Sequence, residues 1–119
     1  MTGAQVVPIF YHYSKEQLED LLSKINGVFI PGGEMPIDRE NQWTSNIQVM
    51  FDYANKQNDA GNPFPIWATC LGYEAALYLF ANQKDNMTVL TRVEGQHGLT
   101  CPLSVKNSNS VLLKNLSPD

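Results

Sequence analysis

The sequence predicts an α/β fold organised around a mostly parallel sheet. Short runs of β-branched or aromatic residues alternate with longer segments of helical apolar spacing. The longer segments open or close on capping residues, and Gly/Pro clusters stop the short runs. That alternation implies βαβ units, with helices covering a sheet whose strands run the same way.

The first apolar run, Val6-Val7-Pro8-Ile9-Phe10-Tyr11, reads as a strand, with Pro8 at its start or on an edge. Ser14-Lys15-Glu16-Gln17 fits a capping box, with Ser14 at the N-cap and Gln17 reaching back. Behind it, Leu18, Leu21, Leu22 and Ile25 recur at i, i+3, i+4 and i+7, one apolar helix face. Asn26-Gly27 ends that helix, since both residues tolerate the left-handed conformation. Val28-Phe29-Ile30 follows as a buried strand, stopped by Pro31-Gly32-Gly33.

Residues 34–42 read as a polar loop, and a second helix starts near Thr44 or Ser45, carrying Ile47, Met50, Phe51 and Ala54. Gln57 to Pro63 is a turn-rich connector. The next strand runs from Phe64 to Thr69, and a helix rich in Ala and Leu from Tyr73 to Ala81. Val89 to Val93 and Leu99 to Val105 read as further strands. Trp43, Phe51, Trp67 and Phe80 fall on apolar faces and are expected in the core.

Composition narrows the functional classes. With 43% apolar and 17% charged residues the chain has the makings of a packed core, and its 119 residues suit one domain or part of one. No apolar run is long enough to span a membrane. Eight basic against twelve acidic residues, without a basic stripe, argue against a nucleic-acid partner. Two cysteines are too few for a disulfide framework, and a structural zinc site would need nearly all of the two cysteines and two histidines to converge, so neither a metal nor another cofactor is expected. A Cys70–Cys101 disulfide stays open if the protein is secreted. Met1-Thr2-Gly3-Ala4-Gln5 lacks the basic and apolar regions of a signal peptide. Asn86-Met87-Thr88 and Asn115-Leu116-Ser117 fit the glycosylation triplet.

Ligands of parallel α/β sheets bind beyond the carboxyl ends of the strands. Two loops fall there: Pro31-Gly32-Gly33-Glu34 and Thr69-Cys70-Leu71-Gly72. Ala68-Thr69-Cys70-Leu71-Gly72 has the form small-x-nucleophile-x-Gly between a predicted strand and a predicted helix. Such an elbow holds its central residue in a strained, exposed turn, where the helix N-terminus favours a thiolate. The N–H of Leu71, the residue after the nucleophile, can donate to an oxyanion, and Gly33 is the candidate second donor. Glu74, four residues on, shares a helix face with Cys70 and suits either a substrate amine or the turn itself. Arg39 is a candidate clamp for an anionic substrate, or a solvated loop arginine. A cysteine between Thr69 and Leu71 also reads as a small buried hydrophobe.

The segment Ile25-Asn26-Gly27-Val28-Phe29-Ile30-Pro31-Gly32-Gly33, paired with Phe64-Pro65-Ile66-Trp67-Ala68-Thr69-Cys70-Leu71-Gly72-Tyr73-Glu74, resembles the gamma-glutamyl hydrolase family. That family is peptidase family C26 of the class I glutamine amidotransferase-like superfamily. A weaker likeness runs from about Gly3 to Leu116. The resemblance implies a flavodoxin-like three-layer α/β/α fold and hydrolysis of gamma-glutamyl bonds of the folate polyglutamate type. It also implies a lysosomal, vacuolar or secreted location. Cys70 is then the nucleophile that forms a thioester, Gly33 and Leu71 supply oxyanion-hole amides, and Glu74 matches the acidic residue after the elbow.

The family's general base is a histidine in a Trp-His-Pro-Glu type segment, which these residues do not contain. His97, in Gly95-Gln96-His97-Gly98, matches a non-catalytic stretch, and His12 lies between two tyrosines at a predicted strand end. The strand that family members place before Val6 is also missing. The expectation is a partial domain over residues 1–119, inactive alone, with a further segment or second chain completing sheet and site. A non-catalytic scaffold or assembly subunit is the alternative.

Overall fold

The computed structural model describes residues 3–81, which hold three helices and two strands in the order α1 (Lys15–Leu22), β1 (Val28–Ile30), α2 (Gln42–Asp59), β2 (Ile66–Ala68) and α3 (Leu71–Phe80). The strands pair in parallel, with Val28 opposite Ile66, Phe29 opposite Trp67 and Ile30 opposite Ala68. This is the βαβ unit expected of an α/β chain. The predicted strands at 89–93 and 99–105, both glycosylation triplets, Cys101 and His97 lie outside the described residues.

α1 begins on the capping box its sequence specifies. The Ser14 hydroxyl accepts from the Gln17 N–H, and the Gln17 side chain accepts from the Ser14 N–H at 3.0 Å. The Glu16 carboxyl is held below its ordinary range, first by a backbone N–H and then by the Ser14 hydroxyl, which donates to it at 2.8 Å. The helix stops at Leu22 rather than at Asn26, because Ser23 turns back to bond the Asp20 carbonyl through its hydroxyl. Gly27 is not left-handed. Its missing side chain instead admits the Pro65 carbonyl, which would stand 2.8 Å from a Cβ there and accepts from the Val28 N–H.

α2 starts two residues before the predicted Thr44. Asn41, assigned to the loop by its polarity, is the N-cap and accepts from the Trp43 N–H at 2.9 Å. The helix ends into Gly61, which at φ 81° takes the left-handed turn the connector calls for. Asn58 then pins the start of the next strand, accepting from the Phe64 N–H at 2.8 Å.

Alternation along the strands decides which sheet face is covered. Val28 and Ile30 join one core with Leu18 and Leu22 of α1, Ile47, Met50 and Ala54 of α2, and Leu71, Ala75, Tyr78 and Leu79 of α3. Phe29 and Trp67 point the other way and are 63% and 54% exposed. Among the described residues the helices therefore lie on one sheet face, and the arrangement has two layers. Trp67 and Phe80 are accordingly not core residues, against expectation: period 2 turns Trp67 from the helices, and Phe80 at the end of α3 is exposed, with its ring edge-on to Phe51 at 4.8 Å between centroids.

A second correction concerns Val6 to Tyr11. No strand forms there, and Val6, Val7, Phe10 and Tyr11 are exposed. β propensity produces a strand only where a ladder partner exists, and none lies beside this segment among the described residues. What holds it is Asn46, buried on α2, whose amide donates to the carbonyls of Tyr11 and Tyr13 at 2.9 and 3.3 Å. Gln42 in turn donates to the Asn46 carbonyl oxygen at 2.9 Å. Replacing Asn46 with alanine strips both carbonyls of their donor. The expected cost is about 1–3 kcal/mol in chemical denaturation, with faster amide exchange around Tyr13.

Candidate functional site

The carboxyl ends of β1 and β2 lie side by side, so the loops that follow them meet. The Thr69 N–H donates to the Ile30 carbonyl at 3.0 Å and continues the ladder by one bond beyond β2. Cys70 then breaks from it. Its backbone, at φ 54° and ψ −121°, is the one non-glycine residue with positive φ among the described residues. A side chain in that region costs about 1–3 kcal/mol and persists only where its surroundings enforce it.

The enforcement is visible on both sides. The Gly72 N–H donates to the Thr69 carbonyl, and the Glu74 N–H to the Cys70 carbonyl, each at 3.0 Å. These bonds start α3 directly from the turn, with Cys70 as a cap whose side chain makes no capping hydrogen bond. The helix begins at Leu71, two residues before the predicted Tyr73. Gly72 is buried against β1, where a Cβ would stand 2.7 Å from both the Ile30 carbonyl oxygen and its Cγ2. Only a glycine lets α3 leave the sheet at this angle. The small residue required two positions after the nucleophile thus has a concrete partner.

The Cys70 side chain is exposed rather than packed away, which removes the reading of a small buried hydrophobe. Beside it runs the Pro31-Gly32-Gly33 loop. A Cβ on Gly32 would lie 2.9 Å from Cys70 Cβ and 3.2 Å from Sγ, so the backbone of this residue rests on the thiol. A Cβ on Gly33 would lie 4.0 Å from Leu71 Cδ2, in open contact. Gly33 thus lies within reach of the Leu71 side chain, and Leu71 follows Cys70 directly in the chain. Sequence reasoning passed over Gly32, since nothing in a Gly-Gly pair says which member faces the cysteine.

Glu74 sits exposed in the first turn of α3, where a carboxylate complements the helix dipole. Arg39 is placed elsewhere. It lines a shallow cleft of about 160 Å³ with Thr44, Ser45, Gln48 and Leu79. Leu79 is nine residues from Cys70, roughly 13 Å along the helix axis, so this cleft is not part of the elbow. The Thr44 hydroxyl, buried in its wall, has no hydrogen-bond partner among the described residues. His12 stacks on Phe10 with ring centroids 5.6 Å apart in an exposed turn. Among the described residues no cluster of His, Cys, Asp and Glu could hold a metal ion, and no helix is long and apolar enough to cross a membrane.

No protein-family model matches the chain. Individual proteins do. It is 36% identical over 115 residues to gamma-glutamyl hydrolase B of Dictyostelium discoideum, covering 95% of this chain and 32% of that protein. Gamma-glutamyl hydrolase of Bos taurus is 35% identical over 93 residues, covering 78% of this chain and 28% of its own length. Gamma-glutamyl hydrolase 1 of Arabidopsis thaliana is 29% identical and covers 98% of this chain and 35% of its own. The chain spans about a third of the length of these curated relatives.

Proposed function

Since this chain is a homologue of the gamma-glutamyl hydrolases, we propose that it carries the nucleophile half of a cysteine-dependent hydrolase of gamma-glutamyl bonds. One observation supports this reading above the others. Cys70 is exposed, is strained to φ 54°, and heads a ten-residue helix at the end of a parallel strand. A cysteine kept for packing has no use for any of these properties.

In this reading the Cys70 thiolate attacks the carbonyl carbon of the gamma-amide. The new S–C bond pushes an electron pair onto the oxygen, which the N–H groups of Gly33 and Leu71 receive. Collapse breaks the C–N bond, the amine leaves with a proton, and a gamma-glutamyl thioester stays on Cys70. Water then cleaves the thioester, releasing the carboxylate and restoring the thiol. Glu74 is proposed to meet the substrate amino group or to fix the turn. Arg39 is proposed to meet a carboxylate farther along a polyglutamate tail, given the distance of its cleft from the elbow.

Neither amine departure nor water attack proceeds well without a base and acid. The family resemblance assigns that role to a histidine in a motif these 119 residues lack. A further segment or a second chain is therefore proposed to supply it. The same addition would complete a flavodoxin-like, three-layer fold by covering Phe29 and Trp67, because parallel sheets are ordinarily buried on both faces.

A gamma-glutamyl aryl ester tests the nucleophile half alone, since an aryloxide leaves without a proton donor. The chain should give a stoichiometric burst of aryloxide and then stall at the thioester. The isomeric alpha-glutamyl ester should react much more slowly. Equal rates with the two isomers, or no burst from folded protein, would defeat the proposal.

A further inference from the structure

We propose that Gly32 is a positioning residue for Cys70: its bare backbone is the surface against which the thiol is set, and its lack of a side chain keeps the sulfur open to attack. This rests on the reading of Cys70 as a nucleophile and adds to it a residue with no assigned role. The decisive geometry is the atom that a side chain at position 32 would meet. A Cβ there would stand 2.9 Å from Cys70 Cβ, closer than two such carbons approach, and 3.2 Å from Sγ. Rotation about the Cα–Cβ bond of Cys70 moves Sγ but leaves Cβ where the backbone holds it. The clash cannot be relieved by a rotamer change; the loop and the turn must separate.

That separation acts on the elbow. Gly72 already lies against Ile30 with no spare room, and Thr69 is bonded to the Ile30 carbonyl, so the turn is fixed to β1 from below. The Pro31-Gly32-Gly33 loop leaves the same strand and closes over the turn from above. A methyl on Gly32 would push the thiol from its seat at the head of α3 and cover part of the sulfur. Gly33 is different, since a Cβ there meets only Leu71 Cδ2 at 4.0 Å. The glycine demanded by packing is therefore Gly32.

The test is the rate of S-alkylation by iodoacetamide, followed at Cys70 by peptide mass spectrometry in the full 119-residue chain. In this step the thiolate electron pair forms the S–C bond as the C–I bond breaks and iodide leaves. Rates are compared at alkaline pH, where the thiol is ionised whatever its surroundings. Gly32→Ala should slow alkylation by about tenfold or more, because sub-ångström displacement and partial cover act on every encounter. Gly27→Ala is the steric control: its Cβ would meet the Pro65 carbonyl at 2.8 Å at the opposite end of β1, so it strains the fold but should leave the Cys70 rate unchanged. A Gly32→Ala rate equal to wild type, or an equal slowing in both variants, overturns the proposal. In a separate comparison at neutral pH, where the thiolate fraction sets the rate, a wild-type thiol no more reactive than a free model thiol defeats the nucleophile reading itself and takes this inference with it. If Gly32→Ala folds poorly, thermal unfolding in a Cys70→Gly background decides. Removing the cysteine Cβ should restore most of the stability that Gly32→Ala loses, whereas additive losses would contradict the contact.

Discussion

Replacing Cys70 with alanine should abolish the aryloxide burst from a gamma-glutamyl ester while leaving stability almost unchanged. The side chain is exposed and makes no capping hydrogen bond, so truncation loses little packing, and alanine inherits the same strained backbone. Replacing it with glycine should be just as inactive yet more stable, by about 1 kcal/mol, since glycine enters the positive-φ region without a Cβ penalty. A residue that both lowers stability and carries chemistry is expected at a functional site. Thermal unfolding of the three proteins beside burst amplitudes checks this. A glycine variant less stable than wild type would mean that the turn is not strained as its backbone angles indicate.

Gly72→Ala should be the most damaging single methyl among the described residues. The added Cβ would sit 2.7 Å from the Ile30 carbonyl oxygen, a backbone atom of the central strand pair. α3 would have to lift from the sheet, loosening Ala75 and Leu79 in the core and tilting the turn that holds Cys70. Overpacking of this kind costs about 1–3 kcal/mol, and contact with backbone places it at the upper end. The denaturation midpoint should fall accordingly, and the Cys70 burst should fall with it even where the variant remains folded. Wild-type stability in Gly72→Ala would show that the helix can leave the sheet at another angle.

How much of this was readable in advance follows from the range of the forces involved. The capping box of α1 was legible because all its partners lie within four residues. The elbow was legible because a strand, a small residue, a cysteine and a glycine at fixed spacing leave few backbone paths. The alternation of strands and helices likewise predicted a parallel βαβ unit.

Features set by distant partners were not legible. Val6 to Tyr11 has the composition of a strand, but strand formation needs a neighbouring ladder. Asn46 looks like any polar helix residue until the Tyr11 and Tyr13 carbonyls, 35 and 33 positions earlier, arrive against it. The hydrophobicity of Trp67 predicts a core position, but the pleat turns it to the sheet face that no described helix covers. Gly32 and Gly33 are chemically identical in sequence, and only the path of the loop selects Gly32 as the one touching Cys70.

Cys70 is proposed as the nucleophile for gamma-glutamyl transfer to water. Its most direct test is peptide mapping by mass spectrometry of the 119-residue chain after exposure to a gamma-glutamyl aryl ester. The expected result is a single gamma-glutamyl thioester on Cys70, released by hydroxylamine and missing from Cys70→Ala. An adduct spread over lysines and Cys101, or folded chain that stays unmodified, would contradict it.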